Sequence, residues 1–292
     1  MKKLSRNDLC WCGSNQKYKK CHLDKDDLID QRLDQFRKQG YLIPSISLVK
    51  TSEDIAKIRK SCQLAKATLD ELEKIIKPGI STNEIDKFVY DFTLKQGAYP
   101  APLNYRGYPK STCTSLNNVI CHGIPDETIL KEGDILNVDV TTFSDGYYGD
   151  INRMFLIGAV SKKAELLVKV TKECLDLAIK VIKPFIPASN IGLTIETHAK
   201  KFGFSVVSDY GGHGIGANFH EEPFIYHYYQ KERDFILRPN MVFTIEPMIN
   251  EGKPNTKLLK DKWTAVTIDN KLSSQWEHTI AVTEDGYEIL SL

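Results

Sequence analysis

Apolar residues recur at helical spacing over residues 52–77, with Ile55, Ile58, Leu64, Leu69, Leu72, Ile75 and Ile76 on one face. Pro78-Gly79 stops that helix, and Ser81-Thr-Asn-Glu84 is a capping box opening a second. The second helix puts Ile85, Phe88, Val89 and Phe92 inward and ends at Gly97. The same order returns later in the chain. Residues 161–182 read as a helix stopped by Lys183-Pro184, and Ser189-Asn190-Ile191 starts another that ends at Gly203. The segment before them, a charged and weakly amphipathic stretch over residues 26–43 with Leu28, Ile29, Leu33 and Phe36, predicts a helix closed by Pro44.

Strand patterns lie between and after these helices. Ile135 to Phe143 is rich in β-branched and aromatic residues, Asp145-Gly146 is a hairpin turn signal, and Tyr147 to Ile157 is the returning strand. Reflection about that turn brings Asp139 and Asp150 near each other on adjacent strands. Two close buried carboxylates repel, and a cation between them removes that cost. Near the end, Trp263 to Asp269 alternates like a strand, Lys271 to Gln275 reads as a turn, and Trp276 to Thr283 as a strand with Glu277 and Thr279 on one face.

The two halves match feature by feature. Each has a helix pair, then a His-Gly-Ile (His122 and His213), then a strand that aligns without a gap: Gly133 to Asp139 with Asn240 to Glu246. Asp139 and Glu246 therefore fall at equivalent positions of two half-domains, and a duplicated fold brings such positions together about a pseudo-twofold axis. Asp139, Asp150, His213, Glu246 and Glu277 form the resulting set. Four carboxylates and one imidazole suit a pair of divalent ions that share carboxylates, activate a water and polarise a carbonyl. Oxygen-rich ligation favours Mn²⁺, Fe²⁺ or Co²⁺ over a thiolate-type zinc site. Singly, each of these residues reads as a surface acid or a satisfied core histidine.

Composition is that of a globular chain of 292 residues, 41% hydrophobic and 26% charged. A net charge of +1 argues against broad capture of nucleic acid or membrane. The polar start Met1-Lys2-Lys3-Leu4-Ser-Arg predicts no signal peptide, and no apolar run is long enough to span a bilayer. Seven cysteines, an odd number, fit thiol ligands in a reducing cytoplasm better than a disulfide framework. Three of them, Cys10, Cys12 and Cys21, stand with His22 in a short polar segment. That set suits tetrahedral Zn²⁺, whose binding supplies the folding energy that so small a unit cannot draw from a core.

This segment, Cys10-Trp-Cys12-Gly-Ser through Lys17-Tyr-Lys-Lys-Cys21-His22, resembles the SEC-C motif. The resemblance implies a structural zinc and docking to a partner, with the ribosome as the expected one, and Lys17, Lys19 and Lys20 offer a basic face to an acidic or RNA surface. Residues 45–292 resemble the type I methionine aminopeptidases. The likeness rests on Tyr105-Arg-Gly-Tyr108-Pro, Cys121-His122-Gly-Ile-Pro125, Asn137-Val-Asp139, Asp145-Gly-Tyr-Tyr-Gly-Asp150, Gly211-Gly-His213-Gly-Ile-Gly216, Phe219-His220-Glu221, Phe243-Thr-Ile-Glu246-Pro247 and Gln275-Trp-Glu277-His278-Thr. The short interval between His213 and Glu246 leaves no room for the insertion of the second type.

The resemblance implies an α+β pita-bread fold: antiparallel sheet, outer helices and pseudo-twofold symmetry. It divides the chain into a zinc-binding module (1–25), a linker helix (26–44) and a catalytic unit (45–292). It implies removal of the initiator methionine from nascent chains, with a small second residue, using two ions (Mn, Fe, Co or Zn). The five residues above would be the ligands, Glu246 also the proton shuttle, His122 a contact to the scissile amide, and His220 a donor to the substrate carbonyl. Tyr105, Tyr108, Cys113, Phe219 and Trp263 would line the methionine pocket. A cytoplasmic monomer is expected. Proline-specific peptidases and creatine hydrolase share the fold but lack the Tyr105-to-Cys113 and Cys121-to-Pro125 patterns, and a non-catalytic binding protein of this shape would lack ligands that are all present here.

Overall fold

The computed structural model describes residues 4–230, 232 and 234–292. Residues 1–3, where the expected 1–25 unit and its polar start begin, lie outside them. Among the described residues the α-helices are α1 (Leu23–Lys38), α2 (Ser52–Glu73), α3 (Thr82–Lys95), α4 (Lys162–Lys180) and α5 (Ser189–Lys201). α1 starts directly after His22, three residues earlier than the pattern suggests, and ends at Lys38 before reaching Pro44. α2 opens on a capping box, Thr51 with Asp54, and α3 on the predicted one, Ser81 with Glu84. These pairs satisfy backbone N–H groups that the first helical turn leaves free.

The first half carries β1 (Tyr99–Pro100), β2 (Cys113–Leu116), β3 (Val119–Cys121), β4 (Ile135–Ser144) and β5 (Tyr147–Leu156). The second carries β6 (Ser205–Val206), β7 (Gly212–Gly214), β8 (Glu221–Ile225), β9 (Val242–Ile245), β10 (Met248–Asn250), β11 (Thr256–Leu258), β12 (Ala265–Thr267), β13 (Ser273–Gln275), β14 (His278–Val282) and β15 (Tyr287–Ile289). The antiparallel strands are divided among four hydrogen-bonded sheets. Two dominate: β1-β4-β2 with β5 on β4, and β15-β14-β9-β7-β8.

Each main sheet is backed by its own helix pair. Ala65, Leu69 and Leu72 of α2 and Ile85 and Val89 of α3 pack on Leu136, Val138 and Val140 of β4 and on Ile151 and Phe155 of β5. Leu167, Val170 and Cys174 of α4 and Ile191 and Ile195 of α5 pack on Phe243 and Ile245 of β9 and on Ile280 and Val282 of β14. The outward faces of the strands thus bury against helices, and the inward faces of the two halves turn towards each other. They are joined by polar contacts: Thr279 Oγ1 donates to the Asp150 carbonyl at 2.8 Å, and Asn137 Nδ2 to the Gln275 carbonyl at 2.9 Å.

Two expectations near the C-terminus change. Ser273–Gln275, read as part of a turn, is β13, paired with Met248 to Asn250. Its side chains are polar yet buried, so no apolar alternation marks it. The strand expected over 263–269 shortens to Ala265–Thr267, because Asp261 Oδ1 accepts the N–H groups of Trp263 and Thr264 at 2.8 and 2.9 Å and holds Trp263 in a turn.

Candidate metal centre and substrate cavity

The β4–β5 hairpin turns on Asp145 and Gly146, at φ of 52° and 82°. That is the left-handed pair a two-residue primed turn requires, and it matches the twist of the flanking strands. It sets Asp139 opposite Asn152 and Thr141 opposite Asp150. Asp139 and Asp150 are therefore diagonal neighbours on one face, two positions apart in register. The second half brings up His213 from β7, Glu246 one residue beyond β9, and Glu277 one residue before β14. His213 Nε2 stands 3.8 Å from Asp150 Oδ2 and 3.8 Å from Glu246 Oε1. Donor atoms of Asp150, His213 and Glu277 all lie within 4.8 Å of one another.

Four of the five groups are held from behind. Thr141 Oγ1 donates to Asp150 Oδ1 and Thr244 Oγ1 to Glu246 Oε1, both at 2.8 Å. Gln275 Nε2 donates to Glu246 Oε2 at 3.1 Å, and Asn152 Nδ2 to Glu277 Oε2 at 3.0 Å. Asn137 Nδ2 orients Asn152 through its Oδ1 at 2.9 Å. His213 Nδ1 pairs with the Gly214 carbonyl at 3.0 Å, which makes Nδ1 the protonated nitrogen and leaves the Nε2 lone pair facing the acids. The N–H of Glu246 donates to Nε2 of the buried His227 at 3.2 Å.

The electrostatics are those of an incomplete set. Burial first, then the charges of Asp150 and Glu246, pushes Asp139 well above the carboxylate range. Burial pushes Asp150 up to about 7 and Glu246 up to about 8, against the pull of the threonine hydroxyls, and raises Glu277 as well. Burial lowers His213 to about 4, so its imidazole is a neutral lone-pair donor. Asp139 Oδ1 is buried without a hydrogen-bond partner. Four crowded acids, a neutral imidazole and an orphaned carboxylate oxygen fit divalent cations, which supply the missing charge and partner at once.

These groups form the floor of a cavity of about 300 Å³. Its wall is aromatic. Tyr108 and Trp263 meet edge to face at 5.2 Å, and Tyr105 lies 4.8 Å from Phe219. Tyr108 turns its hydroxyl into the protein, donating to the Gly123 carbonyl at 2.9 Å, and presents its ring. Cys113, opposite Asp139 across β2 and β4, is buried, and burial keeps it a neutral thiol. His122 and His220 also line the cavity. The His122 ring lies 5.6 Å from Tyr210 and 6.2 Å from Trp263, and His220 Nδ1 pairs with the Tyr105 hydroxyl at 3.0 Å. Every site residue read from the sequence in residues 105–277 thus reaches one cavity. Sequence reasoning missed Tyr210 and the supporting residues Thr141, Thr244, Asn152 and Gln275. The Thr-x-Glu of Thr244 and Glu246, and Thr141 two positions from Asp139, put hydroxyls on the acids' face and were the available signal.

A metallopeptidase family M24 model matches residues 56–284. The chain belongs to that family. Its place among the type I methionine aminopeptidases of M24 follows from close relatives. The methionine aminopeptidase of Chlamydia pneumoniae is 47% identical over 293 residues, 99% of each chain. Methionine aminopeptidase A of Synechocystis sp. is 54% identical over 249 residues, 85% of this chain and 98% of that one. The crystal structure of methionine aminopeptidase from Rickettsia prowazekii, 45% identical, superposes with a TM-score of 0.82 over 86% of this chain and 100% of that one. Membership of M24 gives the chain its pita-bread fold, makes it a metal-dependent hydrolase, and implies divalent metal ions.

This M24 member carries a second donor cluster. The SEC-C motif matches residues 6–24. Cys10, Cys12, Cys21 and His22 hold their donor atoms within 4.8 Å of one another. Cys12 and Cys21 Sγ are 3.5 Å apart, and His22 Nδ1 lies 3.2 Å from Cys10 Sγ and 3.1 Å from Cys21 Sγ. A zinc tetrahedron with Zn–S near 2.3 Å has edges of about 3.8 Å, so the cluster has the size and donors for one ion. Buried Asp26 braces it, accepting from Trp11 Nε1 at 2.7 Å and from the Tyr18 hydroxyl at 2.9 Å. α1 then lies against the larger body: Leu33 is 1% exposed, Asp30 pairs with Arg238 at 3.3 Å, and Arg32 stacks 4.1 Å over Phe185. Among the described residues no helix is long and apolar enough to cross a membrane.

Proposed function

We propose that the protein removes N-terminal methionine from peptides and nascent chains in the cytoplasm. The observation that carries this reading is the cavity itself, where an aromatic wall adjoins a floor of crowded acids. Asp139, Asp150, His213, Glu246 and Glu277 would hold two divalent ions, drawn from Mn, Fe, Co or Zn. When bound, such ions acidify water and polarise the scissile carbonyl. The chain's own groups do the rest. The wall of Tyr105, Tyr108, Cys113, Phe219 and Trp263 takes the methionine side chain, whose thioether packs well on aromatic rings. Glu246 takes a proton from the attacking water and returns it to the departing amine. His220, with Nδ1 engaged by Tyr105, offers Nε2 to the carbonyl oxygen as charge develops there. His122, lowered to about 4 by burial, contacts the scissile amide as a neutral ring.

Likeness to the methionine aminopeptidases supports a preference for a small second residue. Residues 1–25 act as a structural zinc module, 26–44 as a connector helix, and 45–292 as the catalytic unit, working as a monomer. The module's basic residues Lys17, Lys19 and Lys20 support docking to the ribosome. Protein supplied with Mn²⁺ or Co²⁺ and offered Met-Ala-Ser, Met-Leu-Ser and N-acetyl-Met-Ala-Ser tests the reading. It predicts rapid cleavage of the first, poor cleavage of the second and none of the third. Equal cleavage of the acetylated peptide sinks the exopeptidase assignment. Ribosome co-sedimentation unchanged by removal of residues 1–40 sinks the docking role.

A further inference from the structure

We propose that Lys50 is a positioning residue for the loop that presents His220 to the cavity. The inference rests on the reading of His220 as a donor to the substrate carbonyl. Residues 215–220 leave β7 and return into β8, and this loop has no helix or strand of its own. Lys50 reaches it from the segment just before α2. Its Nζ pairs with Glu221 Oε2, and the two side chains are 11% and 15% exposed. The other oxygen of Glu221 accepts the Asn218 N–H at 2.9 Å. One carboxylate thus ties the loop backbone to a cation from a distant segment.

The surroundings fit that purpose. A side chain at Gly216 would place its Cβ 2.6 Å from Lys50 Nζ, so glycine leaves the space the ammonium fills. The Gly216 carbonyl accepts the N–H of Tyr148 on β5 at 2.9 Å, and its N–H reaches the Asn218 carbonyl at 3.2 Å. Lys50 is itself anchored, because its N–H donates to the Asn240 carbonyl at 2.8 Å and the next residue, Thr51, caps α2. His220 precedes Glu221. Fixing Glu221, the first residue of β8, therefore fixes the backbone from which the His220 ring reaches Tyr105 in the cavity. The residue is exposed at the mouth, where its ring packs 4.1 Å from that of His213 and 4.4 Å from that of Phe219 and makes one hydrogen bond, to the Tyr105 hydroxyl at 3.0 Å. Without the ion pair, Glu221 would be drawn towards water and the loop with it. A displacement of about 1 Å at a catalytic group can lower a rate by about a hundredfold.

The test uses full-length protein with saturating Mn²⁺ and Met-Ala-Ser. Lys50→Met is expected to lower kcat about tenfold to a hundredfold with KM within about twofold, since the misplaced donor acts in the transition state. Melting temperature and Mn²⁺ affinity stay near wild type. Lys50→Arg restores most of kcat, and Glu221→Gln reproduces the loss. The double variant is no worse than either single, because both remove one interaction. Wild-type kcat in Lys50→Met, beside a large loss in His220→Ala, overturns the positioning role. Wild-type kcat in His220→Ala overturns the reading of His220, and this inference with it. If Lys50→Met does not fold, failure of Lys50→Arg to exceed Glu221→Gln in kcat overturns the proposal.

Discussion

Cys10, Cys12, Cys21 and His22 come from one short run of chain near the surface, whereas Asp139, Asp150, His213, Glu246 and Glu277 come from both halves of the molecule and close over a cavity. The first cluster uses soft donors, and an ion bound there would do the work of a hydrophobic core. The second uses mostly hard oxygen donors fixed by two packed sheets, with threonine, asparagine and glutamine supports supplied by the chain itself. The ion should therefore be part of the fold in the first cluster and a guest of the fold in the second.

That contrast can be broken at several points. Asp150→Asn should cut hydrolysis of Met-Ala-Ser about a thousandfold, about 4 kcal/mol at 1.36 kcal/mol per decade, with circular dichroism unchanged. A fold lost with the acid would mean that the ions hold the body together. Asn152→Ala frees Glu277 without touching any ligand, and loss of such an orienting partner weakens metal affinity about tenfold to a hundredfold. Calorimetric Mn²⁺ titration reads that change. Cys12→Ser should remove one zinc per chain and disorder residues 4–25, while kcat/KM with Mn²⁺ stays within about threefold. Elemental analysis and limited proteolysis check it, and a collapse of activity would join the two clusters functionally.

The smallest effect concerns pH. Burial raises Asp150 to about 7 and Glu246 to about 8, from 3.8 and 4.5. Between those values the folded, chelated protein holds protons that the unfolded chain has released. This contribution to stability is full below about pH 4 and is lost as pH rises through 7 to 8. Cations displace those protons, so Mn²⁺ should raise the melting temperature more at about pH 8 than at about pH 5.5. An equal or smaller rise at the higher pH contradicts the site's raised proton affinity.

The legibility of the two clusters in the sequence differs for the same physical reason. A local cluster writes its spacing into adjacent positions, and residues 10–22 show it directly. The cavity acids became readable through the repeat that aligns Asp139 with Glu246 and through the Asp145-Gly146 turn, because strand register converts sequence distance into spatial distance. Helices with apolar stripes and caps were legible to within a few residues at their ends. β13 was not, since Ser273, Ser274 and Gln275 are buried for hydrogen bonding rather than for apolar area. Thr141 and Thr244 had a local signal, but the supports Asn152 and Gln275 and the Lys50–Glu221 pair were hidden likewise. They join residues as far apart as 50 and 221, and no local pattern encodes such a contact.

In the proposed function the cavity acids act as one metal centre beside a methionine pocket. The direct measurement is release of free methionine from Met-Ala-Ser by chelator-stripped protein during titration with Mn²⁺. The predicted result is no release without metal, activity that rises and saturates with added ion, and about a thousandfold less at every concentration in Asp150→Asn. Absence of methionine release from the fully metal-loaded wild type, or equal release from Asp150→Asn, would contradict it.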